Sequence, residues 1–252
     1  MVEWIIGAGR VGSALAARAQ ARGYGVRLLG RDDGGASVDA GGAGPIVVAT
    51  RNDDLAAVLD RVPVSRHSDL VFVQNGMIRP FLQERGLADA TRGLLFFAVP
   101  ARGDDLSPGG SSPFTGPHAR TMAAFFVALD VPAEALDEAA FKAVELEKLV
   151  WNSAFGLLSQ ALAQPVGAVL EDPRCDALLD ELCRIGALAL GIEVDVQAMV
   201  GRLRAYSASI PDYRGAVKEW PWRNAFFVDA AAAEGVSLPV HASLCEIVFH
   251  AG

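Results

Sequence analysis

The chain has 252 residues, enough for one large domain or two small ones, and at 52% hydrophobic and 21% charged it can fill a sizeable core. No apolar run is long enough to span a membrane and no basic segment leads a signal-like stretch, so a cytoplasmic chain with no membrane partner is expected. The net charge of −8 argues against nucleic acid as a partner, since phosphate backbones are met by basic faces.

In chain order, Val2 and Trp4-Ile5-Ile6 read as a buried strand that stops at Gly7. Gly7-Ala8-Gly9-Arg10-Val11-Gly12 then opens a helical pattern from Ser13. Between a strand and an alanine-rich helix, such spacing marks a dinucleotide-binding turn. Gly7 turns the chain, Gly9 admits a pyrophosphate to the backbone, and Gly12 lets helix and strand approach. The N–H groups of the first helical turn face the phosphates. All six residues are candidate cofactor ligands. The second strand, Val26 to Leu29, ends at Gly30 and Arg31, where an NAD enzyme usually carries an acidic residue. A guanidinium there suits the 2′-phosphate of NADP. Asp32 and Asp33 follow, and either could reach a ribose if the strand ended one residue later. NADP is favoured over NAD. An anionic cofactor in an acidic chain needs local positive charge, which Arg10, Arg31 and Arg51 supply.

Residues 34–45 form a glycine-rich loop, and Pro45 to Thr50 reads as a central parallel strand. Asn52 or Asp53 is a candidate N-cap for the helix that follows. Asp69 to Val73 is the next strand, broken by Gln74-Asn75-Gly76-Met77, and Leu94 to Val99 reads as another. Strands alternating with helices indicate a doubly wound, Rossmann-type parallel sheet, with Arg31, Arg51 and Asn75 at the carboxyl ends of strands, where ligands bind. Residues 101–117 read as a connector. From about Ala119 the pattern is helical, with a long helix over Glu134 to Ala163. The expected organisation is an α/β domain over 1–137 and an all-helical domain, for substrate and dimerisation, over 138–252.

On that helix Lys148 and Asn152 are four residues apart and share a face. Among apolar neighbours a lysine is desolvated and its pKa falls, which suits a general acid for a carbonyl oxygen. The alternative is an exposed lysine paired with Glu145 or Glu147. Cys175, Cys183 and Cys245 read as reduced thiols, and the scattered His67, His118, His241 and His250 offer no zinc-like spacing, so no metal is expected. His241 reads as a capping or surface residue, and the other three histidines show no partner in the sequence. Trp4, Trp151, Trp220 and Trp222 read as packing residues, although Trp220-Pro221-Trp222 beside Glu219 could wall a pocket.

Taken together these motifs resemble the ketopantoate reductase family, the NADPH-dependent 2-dehydropantoate 2-reductases. The similarity lies in the glycine turn at 7–12, Arg31, Arg51 at a position usually held by lysine, and Gln74-Asn75-Gly76. It continues through Lys148-x-x-x-Asn152, Glu219-x-x-Trp222-x-Asn224 and Gly235-Val236-Ser237-Leu238-Pro239. The resemblance implies reduction of a 2-keto acid, hydride coming from NADPH and the proton from Lys148. It further implies that Glu219 orients lysine and substrate, that Asn152 and Asn224 contact substrate, and that Asn75 lines the nicotinamide pocket. A substrate serine falls on Ser207 or Ser209. Three departures stand out: Gly156 where the family continues with asparagine, Pro221 for aspartate, and Ala225 for glycine. Residues 100–135 are also abbreviated.

The sequence therefore points to an NADP-dependent 2-keto-acid reductase, its active site expected between the domains, with a possible homodimer through the helical half. Two alternatives stay open: another hydroxyacid or imine reductase on this scaffold, and a protein that senses NADP(H) without turnover.

Overall fold

The apolar runs of the first hundred residues are laid side by side as parallel strands. β1 (Trp4–Ile6), β2 (Arg27–Leu29), β3 (Ile46–Val48), β4 (Leu70–Phe72) and β5 (Thr91–Gly93) lie in the order β2-β1-β3-β4-β5. Their pairings are all parallel, with Trp4 opposite both Arg27 and Ile46. β3 and β4 are buried throughout, as strands covered on both faces must be. The crossovers carry α1 (Arg10–Ala21), α2 (Leu55–Arg61) and α3 (Arg79–Glu84). The computed structural model describes residues 1–31 and 38–250. Asp32, Asp33 and the first part of the 34–45 loop lie outside the described residues.

Three sequence expectations are corrected here. The fifth parallel strand is Thr91–Gly93, not Leu94 to Val99. Polar residues are tolerated in that strand because each is satisfied: Thr91 Oγ1 accepts from the His118 backbone N–H at 2.8 Å, and the Arg92 guanidinium lies 5.1 Å from the centre of the Phe141 ring. Residues 101–117 are more than a connector. They contribute β7 (Ser107–Pro108), which pairs with β6 (Phe97–Ala98) as a separate ribbon, and β8 (Ser112–Thr115), which joins the main sheet antiparallel to β5. β9 (Ala133–Ala135) then pairs parallel to β8, so Glu134 is in a strand and the long helix begins four residues later, at Glu138. α4 (Ala119–Ala128) covers this edge, its Phe126 ring 4.9 Å from that of Phe114.

The chain divides into two compact units, Met1–Phe141 and Lys142–Gly252. The first is the sheet with its helices. The second is helical, built from most of α5 (Glu138–Leu162), then α6 (Val166–Val169), α7 (Arg174–Leu190), α8 (Val196–Ser209), α9 (Asn224–Glu234) and α10 (Pro239–His250). Its core is a seam of Leu146, Leu149, Val150, Leu179, Leu182 and Phe227, all nearly inaccessible to solvent. Gly186 lets α7 close on that seam, since a Cβ there would lie 2.3 Å from Leu146. Asp195 caps α8 by accepting from the Ala198 N–H at 3.0 Å, while Gly191 and Gly235 end α7 and α9 in the left-handed conformation that glycine favours. Among the described residues no helix is long and apolar enough to cross a membrane.

Candidate functional site

In the first unit the sheet order reverses between β1 and β3, so a crevice is expected beyond their carboxyl ends. A cavity of about 590 Å³ lies there. Its lining includes Gly7, Ala8, Gly9, Arg31, Thr50, Arg51 and Asp54. The glycines explain why the backbone is open at this point. Gly7 has φ +113° and passes so close to the end of β3 that a Cβ would meet Ala49 at 2.8 Å. A Cβ on Gly12 would lie 2.0 Å from the Gly7 carbonyl oxygen, whereas one on Gly9 would meet nothing within 4 Å. No side chain caps α1, which leaves its first N–H groups for an anion.

The charged residues around the cavity are arranged less simply than their spacing suggested. Arg31 is 78% exposed, and its Nη2 donates to both carboxylate oxygens of Asp54, at 3.1 and 3.0 Å. Arg51 is exposed at the rim. Arg10 lies outside the cavity lining and donates to the Pro100 carbonyl at 2.9 Å. Arg61 and Arg102, which the sequence did not single out, both line it, and Arg102 donates to the Ala8 carbonyl at 3.3 Å. The partner of Arg102 is 94 residues away, so no local pattern could have found it.

Asn75 is exposed and not part of the lining. Its carbonyl accepts from Asn52 Nδ2 at 2.7 Å, and Gln74 Nε2 donates to the carbonyls of Val48 and Thr50 at 2.9 and 3.3 Å. These bonds tie the ends of β3 and β4 together. Asn52 is therefore a bridge between strand ends rather than an N-cap. The residues at the cap positions are Arg51 for the short 3-10 turn and Asp54 for α2, neither with a capping side-chain bond, so Asp53 is not the cap either.

In the second unit Lys148 and Asn152 do share one face of α5: Asn152 Nδ2 donates to the Lys148 carbonyl at 2.8 Å. Lys148 is half-buried, and Glu147 is engaged instead by Arg202, at 2.7 Å. Desolvation, and then the nearby positive charge of Arg223, bring the Lys148 ammonium down to about 7. Arg223 is another residue the sequence left unremarked. It is 8% exposed, donates through Nη2 to Glu219 at 2.7 Å and through Nη1 to Asn152 Oδ1 at 3.4 Å. Glu219 thus orients a guanidinium, a role that the sequence expectation of orienting lysine and substrate did not include. Its backbone sits in the left-handed region, φ 49° and ψ 46°, a conformation that costs a non-glycine residue roughly 1 kcal/mol or more. Strain of that kind clusters at active sites and ligand clamps.

Of the remaining candidates, Ser207 and Asn224 are drawn into packing and Ser209 is not. Ser207 is inaccessible, its hydroxyl accepting from Trp151 Nε1 at 3.0 Å and donating to the Leu203 carbonyl at 2.8 Å. Asn224 is buried, its Oδ1 accepting from His241 Nε2 at 3.0 Å. Both side chains serve the helical core. Ser209 is exposed and donates to the Tyr206 carbonyl at 2.6 Å. His241 is no surface residue: it is 2% exposed, and burial brings its imidazole down to about 4. The cap of α10 comes from Glu181, which accepts from the N–H groups of Val240 and His241 at 2.9 and 3.0 Å. Two other histidines have partners as well. His118 lies 3.3 Å from Asp69, and His67 Nε2 lies 3.0 Å from the Val62 carbonyl. Trp220 stacks on His241, with ring centres 6.1 Å apart.

No family sequence model and no curated protein sequence matches this chain. Solved structures match it in fold. D-mandelate dehydrogenase, in a ternary structure with NADH and anilino(oxo)acetate, is 14% identical, with 100% of this chain and 98% of that one covered and a TM-score of 0.75. A 2-dehydropantoate 2-reductase from Geobacter metallireducens GS-15 is 18% identical, with 100% of both chains covered and a TM-score of 0.74. A dimeric ketopantoate reductase from Staphylococcus aureus is 17% identical, also over 100% of both chains, with a TM-score of 0.71. At such identities the likeness is one of fold. The Rossmann-type sheet followed by helices is the ketopantoate reductase fold, in agreement with the motif resemblance read from the sequence.

Proposed function

We propose that this chain is a reductase that uses a nicotinamide dinucleotide, NADPH in preference, to convert a small 2-keto acid into the 2-hydroxy acid. The observation that carries the reading is Lys148. An ammonium brought to about 7 by desolvation and by Arg223 can give up a proton near neutral pH, and Asn152 stands one turn along on the same face. The first unit fits the cofactor: Gly9 leaves open space, α1 begins without a side-chain cap, and the buried Thr50 hydroxyl has no protein partner among the described residues. Gly7, Ala8, Gly9 and the N–H groups opening α1 would hold the phosphates, Arg31 and Arg51 the 2′-phosphate, and Asn75 the nicotinamide side. The bound dinucleotide supplies the hydride.

This chain's own part is position and charge. Lys148 donates its proton to the oxygen that becomes the hydroxyl, and its charge favours the transition state because the negative charge on that oxygen grows as the reaction proceeds. Asn152 hydrogen-bonds the substrate, and Glu219 holds Arg223 in place. The test is dinucleotide oxidation across a panel of branched 2-keto acids, ketopantoate among them. Wild type should turn over at least one acid, and Lys148→Ala should lose at least a hundredfold in kcat, in line with removal of a general acid. Equal nonzero rates for the two proteins would remove Lys148 from the chemistry, and binding of the dinucleotide with no turnover of any acid by wild type would leave the sensing reading.

A second reading concerns the cofactor alone. The Arg31–Asp54 pair places a carboxylate beside the cavity, and a ribose diol could bind Asp54 as an NADH enzyme requires. D-mandelate dehydrogenase, of the same fold, was solved with NADH. Comparing NADPH with NADH at limiting concentration separates the two. A homodimer through the helical unit is part of the proposal, and sedimentation would check it.

A further inference from the structure

Arg223 is a buried cation with donors to spare. It is 8% exposed, Glu219 takes one Nη2 hydrogen at 2.7 Å, and the contact of Nη1 with Asn152 is long at 3.4 Å. Its Nε is buried with no hydrogen-bond partner among the described residues. A buried guanidinium is normally satisfied on every edge, because an unmet charged donor is costly. Lys148 adds a second cation to the neighbourhood, and its ammonium is held down in part by the positive charge of Arg223.

We propose that Arg223 selects for a carboxylate: its guanidinium takes the carboxylate of the substrate, with Asn152 beside it, while Lys148 serves the adjacent carbonyl oxygen. The inference rests on the 2-keto-acid reading and deepens it, by naming the group that separates acids from neutral ketones. A planar fork of N–H donors matches a carboxylate as a lysine would not, and Glu219 and the long Asn152 contact leave part of that fork unused.

Calorimetry in the presence of oxidised dinucleotide, where no hydride can pass, measures the site directly with 3-methyl-2-oxobutanoate and its methyl ester as probes. Wild type should bind the acid at least tenfold more tightly than the ester. Arg223→Gln should lose at least tenfold in affinity for the acid and leave the ester unchanged, and Arg223→Lys should recover part of the loss. Equal losses for acid and ester would make Arg223 a purely structural residue and overturn the proposal. An unaltered acid affinity in Arg223→Gln, or a wild type that does not tell acid from ester, would overturn it as well, the latter without any variant having to fold. The two readings fail separately. A wild type that discriminates the acid yet reduces nothing removes the reductase and keeps the carboxylate site; turnover of 2-keto acids without discrimination does the reverse.

Discussion

Lys148 carries a stability cost that follows from the same displacement as its proposed role. Its value of about 7 in the folded chain lies below the ordinary 10.5. Between those values the unfolded chain binds a proton that the folded chain refuses, so the protein gains stability as pH rises from about 7 toward 10.5. Lys148→Met should therefore be more stable than wild type near pH 6, by about 1–3 kcal/mol once partial exposure is discounted, with the gain fading toward pH 10.5. Urea unfolding at the two ends of that range checks this, and a constant difference would contradict it. His241 works in the acid range. Its folded value of about 4 lies below the ordinary 6.5, so its contribution is present above 6.5 and lost as pH falls through 4. Replacement by Gln, which keeps a donor for Asn224, should reduce acid destabilisation between those values by about 1–3 kcal/mol, readable as a flatter dependence of melting temperature on pH. The Lys148–Asn152 pair was legible in the sequence because helical spacing alone puts the two on one face. Arg223 was not: it sits in Glu219-Trp220-Pro221-Trp222-Arg223, a stretch without periodicity, and its importance comes from burial that only the packing reveals.

The elements were legible wherever one local signal dominated. The strand–Gly7–Gly12–helix unit is such a case. Failures came where tertiary partners overrode local pattern. Thr91-Arg92-Gly93 has no apolar signature, yet it forms β5 because His118 and Phe141 satisfy its polar groups and Gly93 makes room for the Phe114 ring, which a Cβ would approach to 2.3 Å. The same logic accounts for the glycine on α5 at the position where ketopantoate reductases continue with asparagine. A Cβ on Gly156 would lie 2.8 Å from the Ala216 carbonyl, and one on Gly215 would lie 2.6 Å from the Phe155 carbonyl. The 215–217 backbone therefore runs directly against the helix, filling the space a side chain would need. Gly156→Asn should destabilise the protein by about 1–3 kcal/mol and should not improve turnover; thermal unfolding and kcat report the two parts. A stable, more active variant would show that the segment can move aside.

At the scale of the molecule, an acidic chain of net charge −8 that takes an anionic cofactor must concentrate its arginines locally, and Arg31, Arg51, Arg61 and Arg102 line one cavity. The proposed preference for NADPH depends on Arg31 exchanging Asp54 for a phosphate. Arg31→Gln should weaken NADPH binding about tenfold or more and leave NADH within about threefold, measured by fluorescence titration. Equal weakening of both would assign Arg31 to the pyrophosphate or to folding. The proposed reductase draws on both units, the first chemically suited to a dinucleotide and the second carrying Lys148, Asn152 and Arg223. In that proposal hydride and proton come from different sources, the dinucleotide and Lys148. A single-turnover experiment with NADPH dideuterated at C4 separates them, since either face then delivers deuteride. Deuterium should appear at C2 of the hydroxy acid, at a rate that falls as pH rises through about 7 in wild type and lacks that dependence in Lys148→Met. Product without deuterium, or the same pH profile in both proteins, would contradict it.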